Sequence, residues 1–109
     1  MPTYFKSLNT GSISDGSYAE VEWTPDRDIT IKKMLLIERS DQSLSNVQVY
    51  ISIADVTYTK DFVPGSVIGS DIEYCWKPDL RVPKGAKIYV KITNNSGVAI
   101  NVDVVFEYE

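Results

Sequence analysis

Fifteen acidic residues, eleven basic ones and no histidine limit the chemistry open to this chain. Without histidine, the commonest general base and the commonest transition-metal ligand are both missing. Acids do recur in spaced pairs: Glu20 with Glu22, Glu107 with Glu109, and Asp103 with Glu107. Such pairs could flank a glycosidic bond, at separations of roughly 5 or 6.5–9.5 Å. One carboxyl would then need an apolar pocket to raise its pKa, and nothing in the surrounding sequence supplies one. Acids alternating along a wet strand face are expected to solubilise it. A serine nucleophile would need an adjacent base, here a lysine or a carboxylate. The stretch "VPGSVIGSD" (63–71) shares only its small residues with a nucleophile elbow, and reads as a loop plus the entry to a strand. No catalytic residue is assigned, and the expected class is non-enzymatic.

Metal and thiol chemistry are equally thin. Cys75 is the single cysteine, so it has no partner for an intramolecular disulfide and cannot by itself form a structural zinc site. "SISDG" (12–16), "PDRD" (25–28) and "SDQS" (40–43) carry the oxygens that calcium would want. None has EF-hand spacing, and Asx turns explain each of them. No metal or cofactor is expected. Asn94-Asn95-Ser96 fits the glycosylation pattern, but the same residues make a turn, which is the reading adopted.

The aromatics carry more information. Two Trp, seven Tyr and three Phe are many for 109 residues. Phe106, Tyr108 and Trp23 fall on apolar strand faces and are expected in the core. Tyr50 and Tyr89 stand opposite their strands' aliphatic sets. Outward tyrosines of this kind are compatible with ordinary surface, where exposed apolar atoms are normal, and equally suit an oligomer interface or a sugar-stacking platform, because they bring contact area at low entropic cost. Tyr18 and Trp76, with nearby Asp or Asn, would complete a stacking set. Val105 and Met34 are expected to extend the outward apolar surface.

These side chains must be positioned by strands. In 46–55, Val47, Val49, Ile51 and Ile53 share one face. In 87–93, Ile88, Val90 and Ile92 do. In 99–109, Ile100, Val102, Val104, Phe106 and Tyr108 do. That period of two marks strands with one buried face and one wet face. "SYAEVEW" (17–23) alternates likewise. Shorter candidates are 3–8, 57–62 and 70–77, the last with Ile72, Tyr74 and Trp76 on one side. In 28–38 the pattern changes phase, which predicts a bulge near Lys32–Met34. Turn residues separate these runs, and the closing pair is expected to be a hairpin turned at 94–97. No apolar stripe of helical period is present.

A net charge of −4 argues against a nucleic-acid backbone as partner, since that affinity needs clustered Lys and Arg. "IKK" (31–33) is the densest basic spot and reads as a solvated strand end. No stretch approaches the ~20 apolar residues of a membrane span. The start "MPTYFKSLNT" has no basic region followed by an apolar core, so no secretory signal is expected.

"PDLRVPKGAKIYVKITNNSGVAINVDVVFEYE" (78–109) resembles the closing half of single-jelly-roll proteins. There a strand leads through Pro-x-Gly into a hairpin, then into a long final strand. Similar endings occur in carbohydrate-binding modules and in small virion proteins, the decoration, turret and spike subunits of phages and archaeal viruses. The resemblance implies a homo-oligomer, commonly a trimer or pentamer, that docks onto other capsid proteins. It implies residence in the virion, or in host cytoplasm before assembly. It transfers no residue-level site. The expectation is therefore one all-β domain over 1–109, an eight-stranded antiparallel sandwich of jelly-roll type. Its contacts are assigned to Tyr50, Tyr89 and Val105. The alternative is a glycan-binding module using Tyr50, Tyr89, Tyr18 and Trp76.

Overall fold

The computed structural model describes residues 2–59 and 63–109. Among them run nine strand segments: β1 (Tyr4–Ile13), β2 (Tyr18–Trp23), β3 (Ile29–Glu38), β4 (Val47–Ile53), β5 (Val56–Thr57), β6 (Val63–Pro64), β7 (Leu80–Val82), β8 (Ile88–Asn94) and β9 (Ile100–Tyr108). One helical turn, α1 (Gly65–Ile68), follows β6. The strands form two antiparallel sheets. One has the order β1-β9-β3-β7; the other has β2-β8-β4-β5, with β6 also paired to β4. The expected count of eight strands becomes nine because the one expected over 70–77 is lost, while β6 and β7 arise where no strand was expected. The strand expected over 57–62 is reduced to β5, which pairs with β4 through Thr57 and Val56; residues 60–62 lie outside the described set.

The two sheets enclose one apolar core. The alternating sets of β4, β8 and β9 face it, and Val47, Ile51, Ile88, Val90, Ile92, Val102, Val104 and Phe106 are each no more than 1% exposed. β-Branched residues dominate because they fit a pleated, half-buried surface. Each such side chain, fully buried, contributes roughly 1.5–3 kcal/mol.

The expected bulge is present. The pairing of β3 with β9 shifts between Ile31 and Lys33. The extra residue restores phase, so Ile29 and Ile31 face inward before it and Met34 and Leu36 after it. Met34 was expected on the outer surface, but its side chain is fully buried. The outward reading missed that the bulge turns it in.

Two further expectations fail. Residues 70–77 are not a strand. Asp71 closes a turn there, accepting from the Glu73 N–H at 2.8 Å through its side chain and from the Tyr74 N–H at 3.1 Å through its carbonyl. Ile72 and Tyr74 are accordingly exposed, and only Trp76 makes a ladder contact, with Met34. The segment nevertheless covers β3: the Met34 N–H donates to the Trp76 carbonyl and the Leu36 N–H to the Gly69 carbonyl, both at 2.9 Å.

The closing pair is not a hairpin either. β8 and β9 lie in opposite sheets, paired with β2 and β4 and with β1 and β3 respectively. The residues after Asn94 form a corner that crosses the core. Both strands show an apolar face because they face each other's layer. Among the described residues no helix is long and apolar enough to cross a membrane.

Candidate functional site

Pairing register decides which outward side chains meet. On the outer face of the β2-β8-β4 sheet, Tyr18 lies opposite Thr93, and Glu20, Lys91 and Tyr50 form the next row. Glu22, Tyr89 and Ser52 form the row after that. Three of the five sequence candidates, Tyr18, Tyr50 and Tyr89, thus share one surface with charges of both signs.

Their geometry is specific. The rings of Tyr50 and Tyr89 meet edge to face, with centroids 6.1 Å apart and planes at 69°. The Tyr50 hydroxyl bonds to the Thr57 hydroxyl at 2.9 Å. Lys91 holds its ammonium 4.3 Å from the centre of the Tyr18 ring, a cation–π contact. Tyr89 is half-buried, and its phenol is pushed up to about 12 by that burial, by its hydrogen bond to Glu20 and by the nearby carboxylates. Lys87 bridges to Glu22 at 3.4 Å. The Glu20/Glu22 pair is therefore engaged by a phenol and an ammonium.

Val105 and Trp76 sit elsewhere. Val105 is half-buried on the outer face of the other sheet, between Ser7 of β1 and Leu35 of β3. Rows on either side of it carry exposed Phe5 and Ile37. Trp76 packs partly against the core beside Tyr58, with ring centroids 5.8 Å apart. It borders a small cleft of about 120 Å³ lined also by Ile51, Val63, Val67 and Ile68.

The polar loops are held by their own acids. Asp15 accepts from the Gly97 N–H at 2.9 Å and Asp28 from the Lys84 N–H at 2.8 Å. Asp103 accepts from Arg39 at 2.8 Å and from Asn9 at 2.9 Å. The Arg39 guanidinium holds the Asp103 carboxyl below its ordinary value. No three acidic or cysteine side chains converge on a point among the described residues.

Glu38, which sequence reasoning passed over, and Asn94, which it read only as a turn residue, are buried polar groups. Glu38 is 8% exposed and lies at the rim of an open depression of about 490 Å³. Its carboxylate accepts from the backbone N–H groups of Ser40, Gln42 and Asn101 at 2.6, 2.8 and 3.0 Å. Burial pushes this carboxyl up, but the hydrogen bonds outweigh it and the net shift is downward. Asn94 is fully buried at the corner. Its amide donates to the carbonyls of Ile13 and Val98 at 2.9 and 2.7 Å, while its oxygen accepts from the Ser96 N–H and hydroxyl at 3.0 and 2.6 Å. A side chain so enclosed offers no nitrogen to a glycosyl donor, which agrees with the turn reading. Both residues stand in the inward phase of their strands, and that phase was a usable signal.

A third cluster closes one end of the sandwich. Tyr4 stacks on Tyr108 at 5.5 Å, and Trp23 meets Tyr108 edge-on at 5.0 Å. Arg27 lies 4.7 Å from the Tyr4 ring centre and Lys6 5.9 Å from that of Trp23. No family model fits the chain, and no curated protein matches it in sequence.

Proposed function

We propose that this domain is a jelly roll and acts as a non-enzymatic structural subunit of a virus particle, by self-association and docking to a shell. The observation that carries the fold half is the pairing order. β1 pairs with β9, β2 with β8, β3 with β7, and β4 with β5 and β6. That is one long antiparallel ribbon, folded back on itself and wound so that alternate strand pairs fall into opposite sheets. The functional half is supported by the outward aromatic surface of Tyr18, Tyr50 and Tyr89, by Phe5 beside Val105, and by the resemblance of 78–109 to single-jelly-roll proteins, small virion subunits among them. Fold alone does not dictate this role. Light scattering at micromolar concentration tests it. The expected mass is a multiple of 12.2 kDa. A strict monomer without affinity for any capsid protein overturns the proposal.

The glycan-binding alternative has less support. Sugar stacking needs open ring faces, yet Lys91 caps Tyr18 and Tyr50 meets Tyr89 edge to face. A glycan-array signal lost on Tyr18→Ala would reverse that ordering.

A further inference from the structure

Each sheet ends in edges whose backbone groups can recruit another strand. β7 is three residues long, and the stretch of β3 beyond it is covered by residues 69 and 76. β5 and β6 are two residues each. That leaves β1 and β2, the terminal strands on one side of the sandwich.

These two edges differ in charge. β2 presents Glu20 and Glu22 at alternate outward positions. Two copies of β2 paired antiparallel about a two-fold axis must match outer face to outer face. The two longest such registers set Glu20 opposite Glu22, or Glu20 opposite Glu20. Like charges directly opposite destabilise a strand pair, so β2 rejects a second copy. β1 carries one charged residue, Lys6, which shares the inner face with Tyr4 and Leu8 and lies over the Trp23 ring. Its outer face is Phe5, Ser7 and Asn9, with Phe5 59% exposed. Among the described residues no backbone hydrogen bond reaches Tyr4–Leu8 from outside the β1–β9 ladder.

We infer that β1 is the self-association edge, pairing antiparallel with β1 of a second copy about a two-fold axis at Ser7. The inference rests on the self-association proposed above and names its surface. A register centred on Lys6 would oppose two lysines. One centred on Leu8 runs into the bulge between Asn9 and Ser12, where Gly11 takes a φ of +71°. The register centred on Ser7 avoids both. It sets Phe5 against Asn9 and Lys6 against Leu8 of the second copy, with each ammonium remaining over its own Trp23. The result is a continuous eight-stranded sheet, β7-β3-β9-β1 joined to its two-fold image. The row Leu35–Val105–Ser7 then runs unbroken across the axis. Such a contact gives dimers, or links oligomers across a shell; it does not close a trimer or pentamer ring.

Ser7→Cys in a Cys75→Ser background tests the register. Directly opposed residues in an antiparallel pair lie about 4.5–5.5 Å apart at Cα, within disulfide range. Mild oxidation is expected to yield a disulfide-linked dimer. Ser7→Lys opposes two cations at the axis and is expected to raise the dimer dissociation constant about fivefold by sedimentation. Ser7 is exposed, so the thermal midpoint of the monomer should hold. If the wild type assembles but Ser7→Cys does not cross-link and Ser7→Lys binds normally, copies meet elsewhere and this inference falls alone. If the wild type is a monomer at every concentration, the self-association reading falls with it.

Discussion

Asn94 occupies a position that strand alternation reserves for an apolar side chain. It follows Ile88, Val90 and Ile92 in phase, and like them it is fully buried. It is tolerated because its amide satisfies two carbonyls and its oxygen two donors at the β8–β9 corner. Asn94→Ala leaves the carbonyls of Ile13 and Val98 without these donors, and is expected to cost about 2–4 kcal/mol by urea denaturation. A loss below about 1 kcal/mol would mean that water replaces the amide. Glu38 is the acidic counterpart, in phase with Met34 and Leu36. Its folded pKa lies below the ordinary 4.5, so its contribution to stability is complete well above that value. The contribution is lost as pH falls through the lower folded value. Asp103, held down from 3.8 by Arg39, adds a loss of the same sign. Stability should therefore decline with acidification below about pH 5. Glu38→Gln is expected to make that decline shallower; an unchanged slope would assign the acid sensitivity to other carboxyls.

At the scale of elements, the bulge in β3 was legible and the fate of 70–77 was not. A bulge leaves its mark in the strand's own sequence, because the apolar phase must switch when a residue is added. "SDIEYCW" alternates as well as many strands do, yet coils, because Asp71 closes a local turn. Alternation shows that a segment could pair, whereas pairing also needs a free edge in register. Gly69 is the hinge that lays this segment along β3. Its φ is +90°, and an added Cβ would sit 2.5 Å from the Tyr74 carbonyl oxygen. Gly69→Ala is expected to destabilise by about 2 kcal/mol or more. It should also speed amide hydrogen exchange at Met34 and Leu36, whose N–H groups bond to this segment. Unaltered exchange at those two amides would show that other contacts hold the segment in place.

Across the whole molecule, β9 lies between β1 and β3 and faces the β2-β8-β4 layer. It ties the two ends of the chain together, Tyr4 pairing with Tyr108 and Ile13 with Ile100. Neither β1 nor β3 can complete its sheet without it. A chain ending at Gly97 is expected to show no cooperative thermal transition; a retained sharp transition would place the folding unit in the remaining strands. The outer surfaces belong to this scale too. Tyr18, Tyr50 and Tyr89 are separated by up to 71 positions in sequence, and only the pairing of β2 and β4 with β8 sets them together. Val105, grouped with them by its outward phase, lies on the opposite side of the sandwich.

Strand class, the inward and outward residues of β4, β8 and β9 and the all-β architecture could be read from the chain itself. Side-chain alternation is local: the backbone pleat sends neighbours to opposite faces whatever the strand's partner. Which strands pair, which layer each joins and which outward residues become neighbours could not be read so. Those depend on contacts between residues far apart in sequence, and an apolar face is equally satisfied by a core approached from either side. Residues 87–109 show the difference. Their alternation is what a hairpin in one sheet would have, and equally what two strands facing each other across a core would have. The buried amide of Asn94 turns the chain through the corner, and the core between the sheets takes both apolar faces.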